Sequence, residues 1–328
     1  MDNILEKLTR LRQFIGNTPL IRIYCEIEGR PVNILAKYEA KNLTGSIKDR
    51  MALEILSSAY SLGTIMPGDT IVEATSGNTG IAFAAIGAFL GHPVEIYMPD
   101  WLSEERKRIL RFHGAKLVEI SKKQGGFLEC IDLAKKKSMK KGFFGPKQFD
   151  NSWNVMAHAQ HTAPEVCQSM TDQGLGNLDV FIAGAGTGGT VMGFYHYFST
   201  IRGDNDNFTS FPIFPVNNSD KGHRIEGIGD SFVPKILDLD SLGDVFRVED
   251  SDAINISRQI NKLGLSVGIS SGANVFGAIV KASELPEGSH VATILCDDNK
   301  KYLTTDLCSD TTEELSKNIK ILDFELLS

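Results

Sequence analysis

The chain has 328 residues, with 34 lysines and arginines against 41 aspartates and glutamates, a formal charge of −7. At 42% hydrophobic and 23% charged residues it has an ordinary globular composition and room for about two domains, which excludes disordered, collagen-like and disulfide-scaffold classes. The acidic balance, with no basic face, also argues against a nucleic-acid binder.

Five cysteines (Cys25, Cys130, Cys167, Cys296, Cys308) are widely spaced and form no CxxC, so neither a disulfide frame nor a zinc knuckle is expected. His158 and His161 form the one close histidine pair, and without an accompanying carboxylate they do not make a metal site. Asp2 and Glu6 precede any apolar run, so no signal peptide is read. The most apolar stretch, 81–90, is too short to span a bilayer. A cytoplasmic protein without membrane contact is the expectation.

In chain order, residues 3–15 read as an amphipathic helix with Leu5, Leu8, Leu11 and Ile15 on one side and Gly16 ending it. A strand at 32–39 leads to a helix at 46–62, stopped by Gly63. A short strand at 70–74 precedes a small-residue helix at 79–90, and 94–98 is a strand. Ser103 caps a helix with Glu104 and Glu105 in its first turn, where the dipole favours them. Another strand follows at 116–120, and the lysines of 135–137, 140 and 141 read as a solvated helix end. Beyond Trp153 come a helix to Met170, a strand at 179–183, a helix from Gly189 and a strand at 211–216 set between two loops in 203–222. Helices at 252–263 and 272–283 and a strand at 290–295 close the series, and the apolar tail at 319–327 docks back on the body. Alternating strands and helices predict open parallel sheets covered on both faces. The break near 150 predicts two α/β domains with a cleft between them.

Three turns carry chemistry. Gly184 to Thr190 (Gly-Ala-Gly-Thr-Gly-Gly-Thr) follows an apolar strand and opens a helix. Close backbone approach, inward N–H groups and the helix dipole make it an anion cradle. It lacks the Lys-Ser/Thr of a P-loop. It satisfies GxGxxG, but the next strand ends without the acidic residue a dinucleotide ribose needs, so a single phosphate fits better. Glu73 to Gly80 (Glu-Ala-Thr-Ser-Gly-Asn-Thr-Gly) is a second cradle, suited to a carboxylate. Gly268 to Asn274 is a third Gly/Ser turn, read on its own as a helix cap. Lys48 stands at a helix start behind Ile47, where the dipole opposes the ammonium form and leaves an amine able to form an imine.

Together these segments resemble the cysteine synthase and cystathionine β-synthase family of fold type II pyridoxal-phosphate enzymes. Gly16–Leu20 (Gly-Asn-Thr-Pro-Leu), Ser46–Arg50 (Ser-Ile-Lys-Asp-Arg), Thr75–Gly80, Gly186–Thr190, Glu226–Gly229 and Gly268–Gly272 match its motifs in order, over about residues 14 to 307. The resemblance implies an α/β fold with two open twisted sheets and helices on both faces, like the tryptophan synthase β chain, with the active site in the interdomain cleft. Residues 1–40 and 155–328 would form a large cofactor-phosphate-binding domain, and 41–154 a small mobile substrate-binding domain.

It also implies residue roles. Lys48 would carry pyridoxal 5′-phosphate as an imine and then move the substrate α-proton. Gly186, Thr187, Gly188, Gly189 and Thr190 would hold the phosphate, Asn78 the ring hydroxyl, and Ser270 the pyridine nitrogen. Thr75, Ser76, Gly77 and Thr79, with Gln148, would grip the substrate carboxylate, and Gly227 and Asp230 would border the substrate. The implied reaction is β-replacement on an activated L-serine, foremost L-cysteine from O-acetyl-L-serine and sulfide. Cystathionine-forming, amine-adding and cysteine-desulfhydrating activities, and a silent partner-binding homologue, stay as alternatives. The implied partners are an amino-acid substrate, a small nucleophile, a second copy of the chain in a homodimer, and a serine acetyltransferase. The sequence departs from the family at Leu43, Phe214 and Cys296, and at Asp230, where sulfhydrylases commonly have alanine. A carboxylate there would repel sulfide and welcome an amine or amino-acid cation.

Overall fold

A computed structural model of the chain describes residues 2–201, 208–216, 222–229, 232–309 and 314–328. The first part runs α1 (Asp2–Leu11), β1 (Leu20–Ile27), β2 (Arg30–Tyr38), α2 (Lys48–Ser61), β3 (Thr70–Ala74), α3 (Asn78–Leu90) and β4 (Val94–Pro99). There follow α4 (Glu104–Phe112), β5 (Lys116–Ile120), α5 (Gly126–Ser138), β6 (Phe143–Phe144), α6 (Ser152–Ala157) and α7 (Ala163–Asp172). The last part is β7 (Val180–Gly184), α8 (Gly189–Ile201), β8 (Thr209–Pro215), β9 (Phe246–Val248), α9 (Asp250–Lys262), α10 (Ile269–Glu284), β10 (Val291–Leu295) and β11 (Ile319–Leu326). The chain divides into two compact units, one of Met1–Gly16 with Asn42–Asn154 and one of Asn17–Lys41 with Val155–Ser328.

The first unit has a four-stranded parallel sheet in the order β5-β4-β3-β6. Successive side chains of a strand face opposite sides. Ile71 and Ile96 therefore join the core of α2 and α3, while Val72 and Tyr97 join that of α5 through Cys130 and Ala134. Both faces are covered, so β4 is buried along its whole length, including Glu95, which is paired with Tyr97 and Lys116. Leu8, Leu11 and Ile15 sink into the same core as Met51, Ile55 and Phe83. That burial corrects the expected boundary, because residues 1–16 belong with 42–154 and not with the other unit. Ser103 does precede α4, but its hydroxyl makes no capping bond.

The second unit has a seven-stranded sheet in the order β11-β1-β2-β10-β7-β8-β9. It is mixed rather than all-parallel. β1 pairs antiparallel with both β2 and β11, and the remaining neighbours are parallel. The β1–β2 hairpin turns at Glu28 and Gly29, with φ of 49° and 74°, the left-handed pair that matches strand twist in a two-residue turn. α10 covers one face, burying Ala273, Phe276 and Ile279 with Ile182. On β7 the next ring along, Phe181, stacks on Phe194 of α8 at 3.5 Å. The 319–327 tail docks as β11. β8 lies where a strand was expected within 203–222, whereas 202–207 and 217–221 fall outside the described residues. β1, β6 and β9 were not anticipated, and α10 begins three residues earlier than its predicted start.

Candidate active site

In the first unit, Lys48 is the first residue of α2, half-buried, with its N–H directed at the Ser46 hydroxyl at 3.3 Å. The buried Asp49 carboxylate accepts from the Thr44 N–H (2.7 Å) and hydroxyl (2.6 Å), which folds the preceding loop against the helix start. Among the described residues no carboxylate pairs with the Lys48 ammonium.

The second cradle joins β3 to α3, with Asn78 and Thr79 as the first helical residues. The Thr75 N–H donates to the Tyr97 carbonyl (3.1 Å) and the Gly77 N–H to the Thr75 hydroxyl (3.0 Å), so the loop keeps one shape. Gln148 reaches it from far along the chain. The Thr79 hydroxyl donates to Gln148 Oε1 at 2.7 Å, and Gln148 Nε2 donates to the Ala74 carbonyl at 2.8 Å. Thr75, Thr79 and Gln148 are all buried, at the start of a helix, the end whose dipole favours an anion.

In this region the sequence reading missed Arg106 and gave Glu73, the first residue of the cradle, no role of its own. Arg106 of α4 is buried, and its Cδ lies 2.6 Å from where a Cβ on Gly77 would stand, which sets a guanidinium beside the cradle. Glu73 is buried too, and its carboxylate accepts from the N–H groups of Ala74 (2.9 Å) and Gln148 (3.1 Å). Burial pushes Glu73 up to about 7 against the pull of these hydrogen bonds. Only the strand position of Glu73, an acid in an apolar run, hinted at it.

In the second unit, Gly186, Thr187 and Gly188 form the turn between β7 and α8, and Gly189 and Thr190 open the helix. The turn is stitched on both sides. The Gly229 N–H donates to the Ala185 carbonyl (2.9 Å), and a Cβ on Gly186 would overlap the carbonyl oxygen of Gly227. Gly227 therefore lies against the cradle. Asn274 of α10 accepts from the Gly184 N–H at 2.7 Å and donates to the Ile294 carbonyl at 2.8 Å, tying the turn to β10. His158, in a π-helical turn between α6 and α7, sits 3.3 Å from the Thr190 hydroxyl and 2.9 Å from that of Thr162. Asn274 and His158 were also missed, although a polar residue inside the apolar 269–280 run was the available signal. Ser270 is in the first turn of α10, buried. Asp230 lies outside the described residues. Among the described residues no group of acids, histidines and cysteines could hold a metal ion, and no helix is long and apolar enough to cross a membrane.

Residues 11–297 match the pyridoxal-phosphate dependent enzyme family. A cysteine synthase of Staphylococcus aureus is 35% identical over 306 residues, 91% of this chain and 96% of that one. The hydrogen sulfide-producing enzyme of Fusobacterium nucleatum is 43% identical, with a TM-score of 0.88 over 97% of this chain and 99% of that one. An Asp→Asn variant of that enzyme, carrying an α-aminoacrylate intermediate, gives a TM-score of 0.91. O-ureido-L-serine synthase is 33% identical, with a TM-score of 0.80 over 93% of this chain and 96% of that one. The chain belongs to the pyridoxal-phosphate dependent enzyme family.

Within that family it is an enzyme of the cysteine synthase type with the fold type II architecture. Its cofactor is pyridoxal 5′-phosphate. The residues of each unit fit that group on their own chemistry: in the second unit a glycine turn too tight for a side chain at Gly186, a helix start behind it and a buried hydroxyl at Ser270, and in the first an amine at Lys48 with no carboxylate paired to it among the described residues.

Proposed function

We propose that the chain catalyses β-replacement on an activated L-serine, making L-cysteine and acetate from O-acetyl-L-serine and sulfide. The observation that carries this reading is Lys48, half-buried at the start of α2 with no described carboxylate on its ammonium, in a chain similar over 91% of its length to a cysteine synthase.

Bound pyridoxal phosphate supplies an aldehyde for the substrate amine and a ring that draws electrons from Cα. Lys48 Nζ holds that aldehyde in the resting enzyme, takes the proton from substrate Cα, and returns one to Cα after the nucleophile has added at Cβ. The N–H groups of Gly186, Thr187, Gly188 and Gly189 and the Thr190 hydroxyl hold the phosphate, and Asn78 bonds the ring hydroxyl. Thr75, Ser76, Gly77, Thr79 and Gln148 take the substrate carboxylate, and Gly227 borders the substrate. Ser270 meets the ring nitrogen with a neutral hydroxyl. A neutral hydroxyl at Ser270, in place of an aspartate, would leave the bound ring a weaker electron sink, which would favour loss of a β-substituent over transamination.

A second reading has the same site acting on L-cysteine with sulfide as leaving group. It is favoured by the 43% identity to the hydrogen sulfide-producing enzyme and by an aspartate at position 230 of the sequence, where the resembled sulfhydrylases commonly have alanine. The family resemblance further supports a cytoplasmic homodimer with a serine acetyltransferase as partner, and size-exclusion chromatography with and without that partner checks both.

The test is the reconstituted holoenzyme given O-acetyl-L-serine with sulfide, and separately L-cysteine alone. Cysteine formed in the first mixture supports the first reading, and faster sulfide release in the second supports the other. Absence of both activities in a chain that takes up the cofactor would overturn the two together. Asp230→Ala is expected to change the preferred nucleophile more than the loss of the β-leaving group.

A further inference from the structure

We propose that Glu73 is a positioning residue for the substrate-carboxylate grip, one that holds the Lys147–Gln148 turn as a carboxylate and, on taking up a proton while it stays buried, accepts less well from the Gln148 N–H and loosens that turn. The proposal rests on the reading that Thr79 and Gln148 serve the substrate carboxylate.

The geometry is local to the first unit. The two Glu73 oxygens accept from the N–H groups of Ala74 and Gln148 at 2.9 and 3.1 Å. Lys147 has φ of 55°. A left-handed residue turns successive N–H groups toward one point, the nest that favours an anion. Here the anion is the chain's own carboxylate. The turn then presents Gln148, whose side chain bonds the Ala74 carbonyl and the Thr79 hydroxyl, while its carbonyl is bonded by Asn154 Nδ2 at 2.9 Å. A carboxylate can satisfy both donors. A carboxylic acid gives one oxygen a proton of its own and accepts less well.

The group is also placed to titrate. Burial drives it to about 7, and the Asp150 charge adds to that rise. A small pocket, partly open to solvent, has Glu73 in its wall together with Ala134, Lys135, Lys147, Phe149 and Asp150. A proton can therefore arrive without unfolding the unit. The charged groups around it are few. α5 offers Lys135, and the turn offers Lys147 and Asp150. Glu95 on β4 is engaged with Tyr97 and Lys116. α3 and β6 carry no charged residue.

The experiment follows the holoenzyme from about pH 5.5 to about pH 8.5, together with amide exchange of the 143–151 segment, corrected for intrinsic rates, in the chain with and without cofactor. Expected are a severalfold rise in KM for the amino-acid substrate as pH falls through the transition, an unchanged kcat and visible cofactor band, and a parallel loss of protection in 143–151. Glu73→Gln should abolish the pH dependence of both readouts. Asp150→Asn, an exposed change outside the site, removes the like charge and should move both midpoints to lower pH, so the test survives if Glu73→Gln does not fold. A wild-type KM and exchange profile flat with pH, or midpoints unmoved in Asp150→Asn, would overturn the proposal. If no visible band forms, the cofactor reading falls instead, and the exchange midpoints still decide the role of Glu73.

Discussion

The Thr79 hydroxyl donates to the Gln148 carboxamide at 2.7 Å, across 69 residues of chain. Gln148 Nε2 is spoken for on one hydrogen by the Ala74 carbonyl, so the amide orientation is set and one hydrogen remains for a ligand. Loss of such a buried bond costs about 1–3 kcal/mol. Gln148→Ala is therefore expected to raise KM for the amino-acid substrate about tenfold or more while leaving the visible cofactor band in place. Thr79→Val should do the same, and the double variant should cost less than the sum, since both break one cluster. Steady-state kinetics on the four proteins checks this.

Lys48→Ala is expected to fold normally, because the side chain is half-buried and no described carboxylate pairs with it. It should lack the visible band of lysine-bound cofactor and lose turnover on the order of a thousandfold. Absorbance after reconstitution, with a thermal melt as control, reads both effects.

Gly186→Ala puts a methyl group into the Gly227 carbonyl, and backbone cannot yield as a flexible side chain would. The turn must open, at a cost of about 1–3 kcal/mol, and its N–H groups lose their common aim. The expected result is weaker cofactor uptake with a lower melting temperature, measured by titrating the apo chain. Gly29→Ala, remote from the cradle, should leave cofactor uptake alone.

The buried Glu73 leaves a mark on stability as well. Its folded value is raised from 4.5 to about 7, so between those limits the native chain holds a proton the unfolded chain has released. Its contribution is full below about pH 4.5 and is lost as pH rises through 7, a change on the order of 3 kcal/mol. Denaturation midpoints of wild type minus Glu73→Gln, taken at low and high pH, should fall in that direction.

Burial holds the Cys25 and Cys130 thiols up at about 12, so neither forms the reactive thiolate near neutrality. Cys308 is exposed. A thiol reagent should label Cys308 quickly in the native protein and reach Cys25 and Cys130 only after unfolding, as peptide mapping would reveal.

Much of the fold was readable because its signals are local. The strand at 70–74, the helix starts near 48, 78 and 189, and the docking tail follow from runs of apolar residues ended by glycine or opened by small polar ones. β1 was missed although its buried residues nearly alternate, because Arg22 and Glu26 interrupt the run on its other face. β6 and β9 are too short for any period to register. The early start of α10 puts Ser270 inside the helix, where Gly268 and Gly272 had suggested a cap.

By itself the sequence determined the turn chemistry: where glycines, hydroxyls and helix starts would gather N–H donors for an anion, and that Lys48 opens a helix. Those properties depend on neighbours within a few residues. Only the tertiary structure decided that Gln148 meets Thr79, that Gly186 rests on Gly227, that α1 belongs with residues 42–154, and that Glu73 is buried with the N–H groups of Ala74 and Gln148 on its carboxylate. Each is a contact between distant stretches of chain, made by packing of whole elements, and no local period carries the register of that packing.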